Sequence, residues 1–140
     1  MANLQRKLLE HLKRDVYCKL GVSKVHGIGV FALRKIPAGI TPLRSLRRHR
    51  EIKVSVEELK SLPKSLRDHV EAFCYTDGDT ILIPTSGMNA MDMAVYLNHS
   101  KRPNLKFAAD GHLVSLKTIR SGEELFIDYD ESFGEVHRFE

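Results

Sequence analysis

Residues 96–104 read YLNHSKRPN, a polar cluster that overlaps the end of the apolar run MAVYL at 93–97. Asn98 can donate and accept hydrogen bonds, His99 can do either, and Pro103-Asn104 has turn chemistry. Two readings compete: a polar turn that ends a strand, or the floor of a binding site. A metal site is disfavoured, because no second His or carboxylate stands at ligand spacing on a recognisable element. So is a hydrolytic triad, since Ser100 adjoins His99 and neighbours on a turn seldom face each other for proton transfer.

Two other stretches raise the same choice. HGIGVFA, residues 26–32, sets two glycines around one apolar residue between strand-like segments. Such a loop lets a ligand approach the backbone, and it equally describes a β-bulge. No G-K-[ST] follows, which excludes a Walker loop, and no third glycine or helix-forming run follows, which excludes a Rossmann fingerprint. GEELFIDY, residues 122–129, reads as a strand in which Phe126 and Asp128 point one way and Ile127 and Tyr129 the other.

Around these motifs the chain alternates short β-like runs with glycine turns. Leu4, Leu8, Leu9, Leu12 and Val16, separated by charged residues, predict an amphipathic helix over 2–16. VYCKLGV and VHGIGVFAL read as strands, followed by the turn Ile36-Pro37-Ala38-Gly39. Ser55-Val-Glu-Glu58 has the form of a capping box and Pro63 can open a second helix, so about 55–75 reads as a helical insertion. Asp77-Gly78 and Asp110-Gly111 each predict a hairpin. Ile119-Arg-Ser-Gly122 echoes Ile36-Pro-Ala-Gly39, as a turn reused at two corners of a β-rich fold would.

The bulk properties set limits. A chain of 140 residues, 42% hydrophobic, suits one domain with a single core. It has no apolar run long enough for a membrane span, and its N-terminus is charged where a signal peptide is apolar. A soluble intracellular protein is therefore expected. Cys18 and Cys74 form neither a metal-ligand spacing nor a disulfide framework and read as reduced thiols. The net charge of +4 is uneven: residues 1–53 hold 13 Lys/Arg against 3 Asp/Glu, and residues 121–140 hold 1 against 7. That asymmetry suits a polyanion at one end and a cationic peptide at the other.

The three motifs occur together, in this order, with an insertion between the first two. In this the sequence resembles the SET-domain family of protein-lysine methyltransferases, on G-I-G-V-F-A at 27–32, N-H-S-x-x-P-N at 98–104 and G-E-E-L-x-x-D-Y at 122–129. The resemblance spans roughly residues 16–130. It implies a mainly β (β+α) fold of several small sheets, with the NHS and DY segments threaded past one another in a knot-like C-terminal arrangement. Threading of this kind is otherwise rare. The layout is then an N-terminal helix at 1–15 and a SET domain at 16–140, with the helical insertion at about 55–75 and a tail at 130–140.

The resemblance also implies a site. S-adenosylmethionine is expected on the loop of Gly27, Ile28 and Gly29 and on Asn98 and His99. Tyr129 is the expected catalytic residue, at the inner end of a narrow channel that admits a lysine from the opposite face, and Asn104 supports the threaded segment. Methyl transfer to an amine is an in-line displacement that needs alignment and a neutral nucleophile. A phenol of pKa about 10 is a poor base at neutral pH, so Tyr129 is assigned to positioning and electrostatics. The sulfonium charge and burial both help the lysine lose its proton. Phe107 and Ile127 are the expected channel residues; neither adds a hydroxyl, which favours more than one methyl per lysine.

Departures from the family matter too. Many members read N-H-S-C and carry a cysteine-rich tail whose zinc that cysteine joins; here Lys101 stands instead and no cysteine follows Cys74. No metal is expected. Phe133 and Phe139 are the aromatic candidates to cover the cofactor, or a partner such as a second copy in a homodimer. The stretch TPLRSLRRHR lacks the channel tyrosine often found there, for which Tyr75, Tyr96 or Phe107 would compensate. The expected substrate is a basic protein, a histone tail above all, drawn by Glu123, Glu124, Asp128, Asp130 and Glu131. Arg44, Arg47, Arg48 and Arg50 could rest on nucleic acid. A histone substrate places the protein in the nucleus of a eukaryote, and otherwise in the cytoplasm or delivered into a host. Two rivals stand beside this reading: a SET-like binding module without turnover, and a small β domain that binds a sugar or other small ligand.

Overall fold

The computed structural model describes residues 2–46 and 50–133, the last by its backbone alone. Two compact units emerge, one of Met1–Leu46 with Tyr96–Glu140 and one of Arg47–Val95.

The first unit opens with helix α1, Ala2–Arg14, none of whose residues is buried. Its leucines at 4, 8, 9 and 12 are all exposed, so the stripe that makes the helix amphipathic is open among the described residues. Strands β1 (Cys18–Val22) and β2 (Ile28–Ala32) then pair antiparallel from Cys18↔Ala32 to Val22↔Ile28. The sulfur of Cys18 lies in the core, and burial pushes its pKa up to about 12. Both cysteines are free thiols.

The second unit holds the insertion. β3 (Glu51–Ser55) runs into α2 (Val56–Leu59), and Ser55 caps that helix by accepting the N–H of Glu57 at 3.1 Å. Pro63 stands at the N-cap of α3 (Lys64–Phe73). β4 (Tyr75–Asp77) and β5 (Thr80–Pro84) form the hairpin expected at Asp77-Gly78, and the sheet order is β3-β5-β4. Leu59, Val70 and Ile81 make a small core of their own, packed by Val54, Leu62 and Ile83. Beside the expected helices and hairpin the unit adds the strand β3, which sequence reasoning missed: its run EIKVS does alternate, with Ile52 and Val54 between polar neighbours, but it is short and passes directly into the capping box of α2.

A short 3-10 helix, Met93–Tyr96, leads back to the first unit. There β6 (Asn98–His99), the hairpin of β7 (Leu105–Phe107) and β8 (Leu113–Ser115), β9 (Glu124–Ile127) and helix α4 (Tyr129–Phe133) complete the fold. The main sheet has the order β1-β2-β9-β6. β9 is antiparallel to β2 and parallel to β6, with Asn98↔Phe126 and His99↔Ile127. The mainly β class of several small sheets agrees with the expectation.

The two echoed turns meet each other. Ile36 and Ile119 exchange backbone hydrogen bonds, each 2.8 Å, and both are fully buried. Three residues later in each copy Gly39 (φ +83°) and Gly122 (φ +89°) turn the chain through backbone angles that a β-carbon resists. The repetition therefore marks two corners joined across the first unit's core.

Candidate active site

Asn98 is 7% exposed and stands at the point where β6 joins β9. Its Nδ2 donates to the carbonyls of His26 (3.0 Å) and Ile28 (3.3 Å) and to Oε2 of Glu124 (2.8 Å). The amide is thereby tied to the 26–29 loop. Its Oδ1 takes no partner among the described residues and is not sealed from solvent. An amide oxygen held in this way is an acceptor open to a ligand's donor group.

Next to it, Nδ1 of His99 accepts the backbone N–H of Tyr129 at 3.0 Å. A neutral imidazole that accepts at Nδ1 carries its proton on Nε2. The His99 and Tyr129 rings lie 5.4 Å apart, tilted by 59°. Tyr129 Oη donates to the carbonyl of Leu97. Burial raises the phenol pKa, so the hydroxyl keeps its proton at neutral pH. Tyr129 opens α4 instead of ending the last strand: β9 stops at Ile127, and Asp128 accepts the N–H groups of Asp130 (3.0 Å) and Glu131 (3.3 Å). The alternation drawn through 126–129 ends two residues early, because a helix cap replaces strand pairing.

Asn104 makes four hydrogen bonds, three of them to β9. Its Nδ2 donates to the carbonyl of Glu124 and its Oδ1 accepts the N–H of Phe126, while its backbone bonds Phe126 and Leu116. Ser100 adds a fourth tie to that strand by donating its backbone N–H to Ile127. The NHSKRPN segment is therefore sewn to the strand that delivers Tyr129.

The loop residues differ in exposure. Gly27 accepts the N–H of Ser23 at its carbonyl, Ile28 is exposed, and Gly29 is pressed against Glu124 and Asn98. Phe107 is 39% exposed and Ile127 3%. Tyr75 belongs to the second unit. Arg44 and Arg50 are exposed, whereas Arg47, Arg48, Phe139 and the side chain of Phe133 lie outside the described residues.

Several of the acidic side chains already have internal partners. Lys101 Nζ lies 2.5 Å from Asp130 and 3.4 Å from Asp128. Its hydrogen bond to Asp130, more than that to Asp128, raises the lysine pKa. Burial alone would push Asp128 up, but the Glu131 N–H, the Lys101 ammonium and the Asp130 N–H together hold it below the usual range. His99, Asp128 and Asp130 could bring three ligand atoms within 4.8 Å of one another, with Lys101 supplying a positive charge beside them. Glu124 is bound by Ser23 and Asn98, and only Glu123 and Glu131 of the five are exposed.

A model of the SET domain matches residues 27–130. The chain belongs to the SET-domain family. SET domains form a family of lysine methyltransferases that use S-adenosylmethionine. No curated protein matches the chain in sequence. Among solved structures, a Plasmodium falciparum protein provisionally described as a histone methyltransferase is 19% identical, with a TM-score of 0.51 over 86% of this chain and 98% of that one. At that identity the likeness concerns the fold. A humanized, inhibitor-bound mutant of the Chaetomium thermophilum Polycomb Repressive Complex 2 is 23% identical, with a TM-score of 0.49, and covers 84% of this SET chain and 15% of its own.

Ser23 and Glu124 were not found as site residues by sequence reasoning. Glu124 looked like one acid in an acidic tail. The available signal was its parity on β9: it shares a face with Phe126, opposite the buried Leu125 and Ile127.

Proposed function

We propose that this SET domain transfers methyl groups from S-adenosylmethionine to the side-chain amine of lysine in a basic protein, a histone tail being the first candidate. The observation that carries the reading is the tie of Asn98 to the 26–29 loop, with Oδ1 open, beside a His99 that bonds Tyr129. The donor set fits the cofactor: one open amide oxygen, one imidazole whose Nε2 bears a proton, and an exposed Ile28 to pack on apolar surface.

When bound, the cofactor supplies a methyl group made electrophilic by its sulfonium. Gly27, Ile28, Gly29, Asn98 and His99 bind and orient it. Tyr129 keeps its proton, spends it on the Leu97 carbonyl, and presents a fixed oxygen dipole to the reacting centre. It aligns the reaction and removes no proton. Phe107, with a partly exposed ring, and the buried Ile127 are the residues assigned to the lysine channel. The absence of a hydroxyl on either favours repeated methylation. Glu123 and Glu131 are the exposed acids left to attract a cationic peptide, and Arg44 and Arg50 are exposed cations available to nucleic acid.

The test is transfer of radiolabelled methyl to histones and to total cell protein by wild type, Tyr129→Phe and Asn98→Ala. Label on lysine in the wild-type reaction, reduced in both variants, is expected. Equal labelling by all three overturns the site assignment. Cofactor binding without any transfer makes the chain a binding module.

A further inference from the structure

Glu124 serves two hosts at once. Both its oxygens accept the hydroxyl of Ser23, at 2.8 and 3.0 Å, and Oε2 also accepts Nδ2 of Asn98 at 2.8 Å. Ser23 in turn accepts the N–H groups of Val25 (3.0 Å) and His26 (3.2 Å), so its hydroxyl organises the start of the glycine loop. A single carboxylate thus joins the loop to the amide next to it.

This arrangement decides which way the amide points. Nδ2 faces three acceptors, the His26 and Ile28 carbonyls and the Glu124 carboxylate. A flipped amide would set its oxygen against all three, with no hydrogen to share. Glu124 is the strongest of these acceptors and the only one that is not backbone. Gly29 completes the fit: a β-carbon there would stand 2.4 Å from Glu124 Oε2, 2.9 Å from its Cδ and 3.1 Å from Asn98 Nδ2. The glycine leaves room for the carboxylate.

We propose that Glu124, held by Ser23, is a positioning residue for the cofactor: it fixes the Asn98 amide with its oxygen outward. This rests on the methyltransferase reading above. Glu124 acts through Asn98 and touches no reacting atom.

Calorimetric titration of the full chain with S-adenosylhomocysteine, the unreactive product, tests it. Glu124→Gln keeps the shape but loses one of the two acceptors, and binding should weaken about tenfold. Ser23→Ala should weaken it about threefold. The informative measurement is the cycle with Asn98→Ala. If Glu124 acts through the amide, the double variant Glu124→Gln with Asn98→Ala binds within about twofold of Asn98→Ala alone. A merely structural role gives losses that multiply. Wild-type affinity in Glu124→Gln, or multiplying losses in the cycle, overturns the proposal. If Glu124→Gln does not fold, the same cycle is run with Ser23→Ala, where unchanged affinity or multiplying losses overturn it equally. Wild type that fails to bind at millimolar ligand sinks the methyltransferase reading itself, an outcome distinct from these.

Discussion

Tyr129 has its proton committed to a carbonyl and its pKa raised by burial, which separates two roles for a tyrosine at a methyl-transfer site. A base would need the phenolate; a fixed dipole needs the phenol. Tyr129→Phe should therefore lower kcat about 100-fold while cofactor affinity changes less than about threefold, and wild-type kcat should show no inflection from tyrosine between pH 7 and about 9. Steady-state kinetics with parallel calorimetry checks both. Gly29→Ala should cost about 1–3 kcal/mol in a denaturant melt, because the new methyl must displace a carboxylate pinned by Ser23 and Asn98. Asn98, His99 and Tyr129 could be picked out in the sequence because their motifs are local and keep their order. Ser23 and Glu124 could not: they are 101 positions apart, and nothing local says that one hydroxyl reaches one carboxylate.

Elements were readable where their signal is local. The leucine spacing of α1, the hairpin glycines and the β1 and β2 runs all led to elements near the expected places. β3 was missed because its one short alternating run, EIKVS, passes directly into a capping box, and β6 because two residues paired in parallel to a distant strand carry no periodicity. The echo between 36–39 and 119–122 was visible, but its meaning lay in the bridge between the two copies. Ile119→Ala leaves that backbone bridge in place but removes a fully buried side chain at it, and should destabilise the first unit by about 2–5 kcal/mol in urea. Asn104→Ala should match the lower part of that range, because it leaves the part-buried Phe126 N–H and Glu124 carbonyl without their side-chain partner.

At the scale of the whole chain, titration bounds where the fold holds. Cys18, Tyr129 and Lys101 have raised folded pKa values, so the stability they contribute is full below their unfolded values and is lost as pH climbs through the folded ones. For Cys18 that window runs from 9.0 to about 12. Asp128 is lowered, so its contribution is present above its unfolded value and is lost as pH falls through the folded one. The melting temperature should fall as pH climbs above about 9 and as it drops into the carboxylate range, and Cys18→Ala should remove part of the alkaline decline. Among the described residues no helix is long and apolar enough to cross a membrane. The sequence's uneven charge keeps its basic half, but much of its acidic end is spent inside the chain on Lys101, Ser23 and Asn98. That internal pairing could be seen only once the fold had brought residues 23, 98–101 and 124–130 together. The most direct test of the central claim is mass spectrometry of a histone-tail peptide after incubation with the full chain and S-adenosylmethionine. Added methyl groups on lysine are expected, sharply reduced with Tyr129→Phe; an unmodified peptide, from a chain that also fails to bind millimolar cofactor, would overturn the methyltransferase reading.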